Sequence, residues 1–202
     1  MNGRFVALWK ELGADGAADL ISARVLKMYS APERTYHNLS HIEDCLRHFD
    51  GARQVAERPR EVEIAVWFHD AFYDPQANNN EEKSASFACG TLKGTGLDNG
   101  SVDYVKRLIL ATKHDHAPDF ADGRLIADID LAIFGQAAEV FDAYEAAVRK
   151  EYHWVSDMEY RGRCAKLIKT FLKRPSIYYT ACFKERLENR ARKNLLRSLS
   201  RL

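Results

Sequence analysis

Apolar residues recur three and four positions apart along nearly the whole chain, which predicts helices throughout. Proline, asparagine and glycine residues separate the stretches that show this spacing. Two short apolar stretches, 125–133 and 177–182, resemble strands, but neither has a neighbour with hairpin turn residues. The pattern therefore predicts an all-α fold.

Several helix boundaries are predicted from local signals. Residues 40–43 have the form of a capping box, so a helix should start near Asn38 to Ser40. Pro59 suits the first turn of the next helix, whose residues 62–68 are apolar almost all round, as in a buried helix. That helix should end close to Pro75, because the residue before a proline avoids helical geometry. Further helices are predicted over 20–28, 81–90, 102–111, 137–152 and 158–172, with a last one from about 176.

Length and composition are those of an ordinary globular protein. The chain has 202 residues, with 46% hydrophobic and 29% charged, so we expect one domain over 1–202 with a C-terminal helical extension from about 176. The net charge of +1 indicates no particular class of partner. No stretch approaches the roughly 20 apolar residues of a membrane span, and charge interrupts the N-terminal apolar run too early for a signal peptide. We therefore expect no membrane partner and a cytoplasmic location.

The four cysteines, Cys45, Cys89, Cys164 and Cys182, are scattered along the chain. No pair has the C-x-x-C spacing of a thiolate zinc site or a redox motif. The sequence therefore predicts four reduced and mostly buried thiols, and argues against both a disulfide framework and a thiolate zinc site.

His69 and Asp70 directly follow the buried run 65–68, so two polar groups stand at the end of an apolar helix. Burial of an unpaired carboxylate costs several kcal/mol, and a metal ion is one of the few partners that offsets this cost. The same reasoning applies to Asp128 and Asp130, which lie within an apolar segment. We therefore expect a metal site at His69-Asp70.

His37 and His41 are four positions apart. On one continuous helix they share a face, whereas a helix that starts at Asn38 or later leaves His37 outside, where it can reach a substrate. Imidazole ligands suit zinc, iron, manganese or nickel, and carboxylates favour manganese, magnesium or iron. A divalent ion in such a site lowers the pKa of bound water toward ~7.

The ordered set His, His-Asp, Asp resembles the HD superfamily of metal-dependent phosphohydrolases. The stretch Tyr36–His41 is similar to the Tyr-His-Asn-x-x-His element of cyclic nucleotide phosphodiesterases in that superfamily. The resemblance is greatest to a bacterial family of predicted HD phosphohydrolases, and it covers most of the chain. The matching stretches are Trp67–Asp70, Asn80–Ala85, Ala111–His114, Asp128–Leu131 and Ala191–Leu195.

The resemblance implies an HD-domain helical bundle that holds one or two divalent ions (manganese, magnesium, iron, cobalt, nickel or zinc). By position it implies four metal ligands: His41, His69, Asp70 and Asp130. Asp128 is the alternative to Asp130. His37 corresponds to the general acid that protonates the leaving oxygen. Asp128 could instead hold a ligand in place.

Four more residues are assigned to the reaction or the substrate. Glu81 is assigned to catalysis, and Lys113, His114 and Asn80 to substrate binding. Glu81 and His114 could also supply a second metal. Glu81 could equally be an acidic residue in the first turn of its helix, where a negative charge stabilises the helix. Lys113 could equally be a solvated lysine at the end of a helix.

We expect hydrolysis of a phosphoester bond in a nucleotide or another small phosphorylated metabolite. Two other functions stay open: an HD-fold protein that senses a nucleotide with little catalysis, and a di-iron oxygenase. A homodimer also stays open. Residues 184–201 carry seven basic side chains against two acidic ones on an amphipathic pattern, which favours a docked helix with a solvated basic face over contact with nucleic acid.

Overall fold

The computed structural model describes all residues, Met1–Leu202, and contains ten α-helices, two short 3-10 helices and no strands. The all-α prediction is confirmed: the strand-like stretch 125–133 is helical, and 177–182 is an irregular segment that leads into the last helix. None of the helices is long and apolar enough to cross a membrane. The chain divides into two compact units, Met1–Ala127 and Asp128–Leu202, which are described separately below. A single domain over 1–202 stays a prediction.

The first unit is built around one short buried helix. Its helices are α1 (Asn2–Glu11), α2 (Ala18–Tyr29), α3 (Leu39–Asp50), α4 (Pro59–Phe68), α5 (Asn80–Leu92), α6 (Asn99–Ala111) and the start of α7 (Ala121–Asp130). A 3-10 turn spans Arg53–Val55. Helix α4 packs against α1, α3, α5 and α6, which explains why its sequence is apolar almost all round.

Helix α4 confirms the predicted buried segment, since every residue from Val62 to Phe68 is buried. The one charged residue among them, Glu63, accepts hydrogen bonds from the guanidinium groups of Arg4 and Arg53. Two positive partners offset the cost of burying this carboxylate. The predicted end of the helix near Pro75 is wrong, because α4 ends at Phe68 and residues 71–79 form turns and loops.

The N-terminal ends of α4 and α3 are each held by a side chain. Asp122 is fully buried, and its two carboxylate oxygens accept from the backbone N–H groups of Glu57 and Arg58 at 2.8 Å each. These residues directly precede Pro59, so a carboxylate from α7 satisfies donors beside the N-terminus of α4. At the start of α3 the capping residue is Asn38 rather than Ser40, because the Asn38 side chain accepts from the Ser40 N–H.

The second unit contains the end of α7, a 3-10 segment and three helices. These are the 3-10 segment Leu131–Gly135 and the helices α8 (Ala138–Glu151), α9 (Asp157–Lys173) and α10 (Ala181–Arg201). The last helix thus starts at Ala181, later than the predicted 176. Helix α10 packs closely on the 3-10 segment, where a Cβ atom on Gly135 would lie 2.5 Å from that of Leu187.

Part of the basic face of α10 is paired within the second unit. Leu187, Ala191 and Leu195 are buried along one side of the helix, which confirms the predicted docked helix. On the other side, the guanidinium groups of Arg197 and Arg201 both contact Asp142. These ion pairs reduce the positive charge that a polyanion would meet.

Candidate metal centre

Three of the predicted ligands come together inside the first unit. His41 is the third residue of α3, and His69 and Asp70 follow the last residue of α4. The Nε2 atoms of His41 and His69 lie 3.2 Å apart. The Asp70 Oδ2 atom lies 3.3 Å from Nε2 of His69 and 3.5 Å from Nε2 of His41. Packing of α3 against α4 therefore builds a triangle of three potential ligand atoms.

The orientation of the His69 ring is fixed by the backbone. Its Nδ1 atom lies 2.9 Å from the carbonyl oxygen of Val66. A carbonyl oxygen can only accept, so Nδ1 carries the hydrogen and Nε2 keeps its lone pair. That lone pair is directed at the other two ligand atoms, which is the usual arrangement of a metal-binding histidine.

The triangle has the dimensions that a divalent ion requires. With metal–nitrogen bonds of about 2.0–2.1 Å, adjacent ligand atoms lie about 3.0 Å apart in an octahedral site and about 3.4 Å apart in a tetrahedral one. The observed separations of 3.2, 3.3 and 3.5 Å fall at or within about 0.1 Å of this range. The residues therefore fit a metal ion without rearrangement.

Cys45 adjoins the same group, although the spacing of the cysteines argued against a thiolate zinc site. It lies one turn after His41 on α3, is buried, and places its Sγ atom 3.7 Å from Nε2 of His41. The ligand atoms of His41, Cys45 and His69 all lie within 4.8 Å of one another. The spacing of four residues between His41 and Cys45 was the signal that could have identified it.

The charge of Asp70 is stabilised by its neighbours. Burial opposes ionisation of this carboxyl group, but the imidazoles of His69, His37 and His41 outweigh burial and hold the pKa of Asp70 below its ordinary value. The group therefore offers a carboxylate, the form that binds a cation.

The backbone that carries Asp70 is clamped by a buried tyrosine. The hydroxyl of Tyr29 accepts from the Asp70 N–H at 3.1 Å and donates to the carbonyl of Trp67 at 3.2 Å. Tyr29 lies at the C-terminal end of α2 and is buried. It thus joins the end of α4 to the residue that supplies the carboxylate.

A buried arginine joins the two histidine-bearing segments. The Arg34 guanidinium donates to the carbonyls of Asp70 at 2.7 Å, Ala71 at 2.8 Å and His37 at 3.3 Å. One planar cation therefore fixes the loop before α3 and the loop after α4 relative to each other. Neither Tyr29 nor Arg34 was identified from the sequence, because nothing local marks a residue that binds a distant carbonyl.

His37 lies outside α3, which decides between the two positions left open by the sequence. Asn38 caps the helix, so the His37 backbone is free of helical geometry. Its ring stacks on Tyr73 with centroids 3.9 Å apart and lies 5.9 Å from the ring of His41. His37 is therefore beside the ligand triangle without belonging to it.

Asn80 and Glu81 are the first two residues of α5. Burial raises the pKa of Glu81, and the negative charge of Asp70 acts in the same direction. Asn80 has a structural task, since its side-chain amide donates to the Asp74 carbonyl at 2.9 Å and accepts from the Asp74 N–H at 3.1 Å. Its assignment to substrate binding stays a prediction.

Lys113 and His114 line a cavity of about 530 Å³ at the end of α6. The Lys113 ammonium lies 2.5 Å from the Glu82 carboxylate, so an anionic substrate would have to compete with that ion pair. His114 has a φ of 58°, a left-handed backbone that is uncommon outside glycine. Both assignments to substrate binding stay predictions.

The two aspartates of the last motif have different surroundings. Asp128 accepts hydrogen bonds from the N–H groups of Tyr179 and Thr180, at 2.8 and 2.7 Å, and from the Thr180 hydroxyl at 2.7 Å. Its carboxylate thus holds the segment that leads into α10. Asp130 is half-buried at the C-terminal end of α7, and its role as a ligand stays a prediction.

Comparison with known proteins leaves the family of this chain open. No protein-family model matches it, and neither a curated protein nor a solved structure matches it. The structure itself contains a histidine, cysteine and aspartate group that could hold a metal ion. Any functional assignment must therefore be argued from this group.

Proposed function

We propose that this chain is a metal-dependent phosphohydrolase of the HD type that cleaves a phosphoester bond in a nucleotide or another small phosphorylated metabolite. The observation that carries the proposal is the triangle of His41, His69 and Asp70, whose ligand atoms lie 3.2–3.5 Å apart. A binding site alone does not imply hydrolysis. The adjoining His37 supports it, because phosphoester cleavage needs a proton donor at the leaving oxygen.

The metal would be held by the triangle and by Asp130. Asp130 is included because Asp130-Leu131 corresponds to the Asp-Leu of the last superfamily motif. When bound, a divalent ion activates a water molecule near neutral pH and offsets negative charge on phosphoryl oxygens. Zinc, manganese, iron, cobalt, nickel and magnesium are all candidates on ligand type.

His37 would donate a proton to the departing oxygen. Its ring is held by stacking on Tyr73 and its carbonyl by Arg34, so its position relative to the triangle is set before substrate binds. His37 also contributes to the lowered pKa of Asp70, so the two side chains interact electrostatically. Such positioning reduces the entropy that is lost on reaching the transition state.

Glu81 would orient the attacking water or accept its proton. Its raised pKa brings it closer to the range in which a carboxyl group exchanges protons near neutral pH. Lys113, paired with Glu82 beside the cavity, could exchange that partner for a phosphoryl oxygen. In this proposal the cavity of about 530 Å³ holds the remainder of the substrate.

A metal and substrate panel tests the proposal. Metal-stripped protein is assayed with manganese, cobalt, zinc, iron, nickel and magnesium on nitrophenyl phosphate esters and on phosphorylated metabolites. We expect turnover with at least one metal, and its loss in His69→Ala and Asp70→Ala with helical content retained. His48→Ala is the matched control, because His48 lies on α3 and is not one of the three triangle residues.

The same measurements separate the other two functions. A nucleotide that raises the melting temperature without being turned over would support a sensing protein and contradict hydrolysis. Oxygen consumption that depends on two bound irons would support an oxygenase. Absence of bound metal together with absence of phosphate release would remove the proposal.

A further inference from the structure

We propose that the second unit holds a binding site for a neutral aromatic molecule, in a cavity of about 340 Å³. Protein interiors hold few voids larger than a water molecule, and ligand pockets start at about 300 Å³. Because an apolar cavity of about 150 Å³ accepts benzene, this one has room for about two fused rings. The inference concerns residues of the second unit alone and depends neither on a metal nor on hydrolysis.

The cavity lies where side chains of α8 and α9 face each other. Helix α9 packs on α10, and α8 packs on the 3-10 segment. The lining includes Phe141, Phe171 and Leu195, which are buried in the core of this unit. It also includes Leu167, which is 53% exposed. The cavity therefore extends from the core of the second unit to its surface, where a small molecule can enter.

Aromatic rings make up much of the cavity wall. Six of the lining residues are aromatic: Phe134, Phe141, Tyr144, Tyr152, Tyr160 and Phe171. Phe134 meets Phe171 edge to face, with ring centroids 5.2 Å apart and planes at 76°. It meets Tyr144 in the same way, with centroids 6.1 Å apart. A planar aromatic ligand can join such edge-to-face contacts, whereas an aliphatic chain of equal volume cannot.

Both charged residues of the lining have partners outside it. The Arg163 guanidinium contacts the Glu159 carboxylate at 2.5 Å, and the Glu145 carboxylate contacts Arg201 at 2.5 Å. A charged ligand would have to displace one of these pairs and also give up its hydration in an apolar cavity. The lining therefore favours a ligand without charge.

The remaining polar groups of the lining are themselves neutral. Burial raises the pKa of the Tyr144 and Tyr160 hydroxyls and of the Cys164 thiol, and the three groups also disfavour ionisation of one another. They can exchange hydrogen bonds with a hydroxyl or carbonyl group without placing a charge beside the rings. A two-ring aromatic molecule with one such polar group matches this wall.

Fluorescence titration of 2-naphthol tests the site on the full-length protein. This probe has two fused rings and one hydroxyl, and it is excited at wavelengths that tryptophan does not absorb. We expect saturable binding of one molecule per chain, with a dissociation constant between about 1 µM and 1 mM for a ligand of this size. Calorimetry with 1-octanol, which has a hydroxyl and no ring, should show much weaker binding.

Variants that fill the cavity locate the bound probe. Val148→Trp on α8 and Leu167→Trp on α9 place an indole in the volume that the ligand needs, so each should lower the affinity for 2-naphthol at least ~10-fold. Met158→Trp is the matched control, because Met158 lies on α9, is 85% exposed and does not line the cavity. It should keep the affinity of the wild type. Circular dichroism checks that all three variants fold.

The outcomes decide the inference separately from the proposed function. Absence of saturable binding, or equal binding to the wild type and to both filled variants, would overturn the site. Binding of 1-octanol as tight as that of 2-naphthol would overturn its preference for aromatic ligands. Self-association of the wild type that Leu167→Trp abolishes would show that a second copy covers the cavity, which also overturns the proposal. None of these results bears on phosphoester cleavage, because no residue of the triangle lines this cavity.

Discussion

Substitution of Tyr29 by phenylalanine tests whether the site is held by the clamp at the end of α4. The change removes one hydroxyl and no other atom. That hydroxyl accepts from the Asp70 N–H at 3.1 Å and donates to the Trp67 carbonyl at 3.2 Å. Because Tyr29 is buried, with 1% of its surface exposed, water cannot replace the hydroxyl without opening the core.

The magnitude follows from the two bonds. Each hydrogen bond contributes about 0.5–1.5 kcal/mol, and a buried donor that is left without an acceptor costs about 1–3 kcal/mol. We therefore expect Tyr29→Phe to lower the free energy of unfolding by about 2–3 kcal/mol. A second effect should fall on metal affinity, because the Asp70 backbone loses its anchor. Outer partners of metal ligands typically account for about 10- to 100-fold in affinity.

Two assays measure these effects separately. Urea denaturation of the metal-stripped protein gives the loss of stability without a contribution from binding. Competition with a chelator, carried out on the folded protein without urea, gives the affinity for zinc. Tyr104→Phe is the control, since it removes a hydroxyl that donates to Asp122 at 3.1 Å and bonds no candidate ligand. It should lose stability and keep its zinc affinity.

A loss of stability in Tyr29→Phe with unchanged zinc affinity would show that Asp70 does not depend on this clamp, or does not bind the metal. Equal losses of affinity in both tyrosine variants would show that zinc binding reports global stability rather than local positioning. Either result would refute the reasoning above.

Three further predictions concern the proton donor, the cap of α3 and the buried carboxylate of the second unit. His37→Ala should lower turnover by about 10²- to 10⁴-fold. The loss should be smaller for a nitrophenyl ester than for a phosphorylated metabolite, because the nitrophenyl leaving group needs no proton. Equal losses of turnover on the two substrates would contradict the acid role of His37. Asn38→Ala should cost about 1 kcal/mol in urea denaturation, and an unchanged midpoint would exclude the cap. Asp128→Asn places an amide N–H against the Thr180 donors and should cost about 1–3 kcal/mol. Burial raises the pKa of Asp128 to about 6, above the ordinary 3.8, so the wild type should gain stability relative to this variant as pH falls from 6 toward 4. A constant difference would show that the three donors cancel the effect of burial.

The sequence alone was sufficient to predict features whose physical cause lies in neighbouring residues. Helical spacing predicted the helices, and the apolar run 62–68 predicted a buried α4. The paired polar residues after this run predicted a group that could hold a metal ion. The start of α3 was predicted within two residues, because an asparagine cap acts on its own helix. The end of α4 was predicted six residues too late, since Pro75 excludes helical geometry before it but does not require a helix to reach it.

Only the tertiary structure showed the features that depend on contact between distant segments of the chain. The spacing of His41 and Cys45 was present in the sequence, but only the packing of α3 against α4 shows that this face meets His69. Asp128 gives a second example: its burial was expected from its apolar neighbours, and its partners are two backbone N–H groups and the Thr180 hydroxyl next to α10. A buried carboxylate needs compensation, which its sequence context predicts, but the identity of the compensating group is a property of three-dimensional contact.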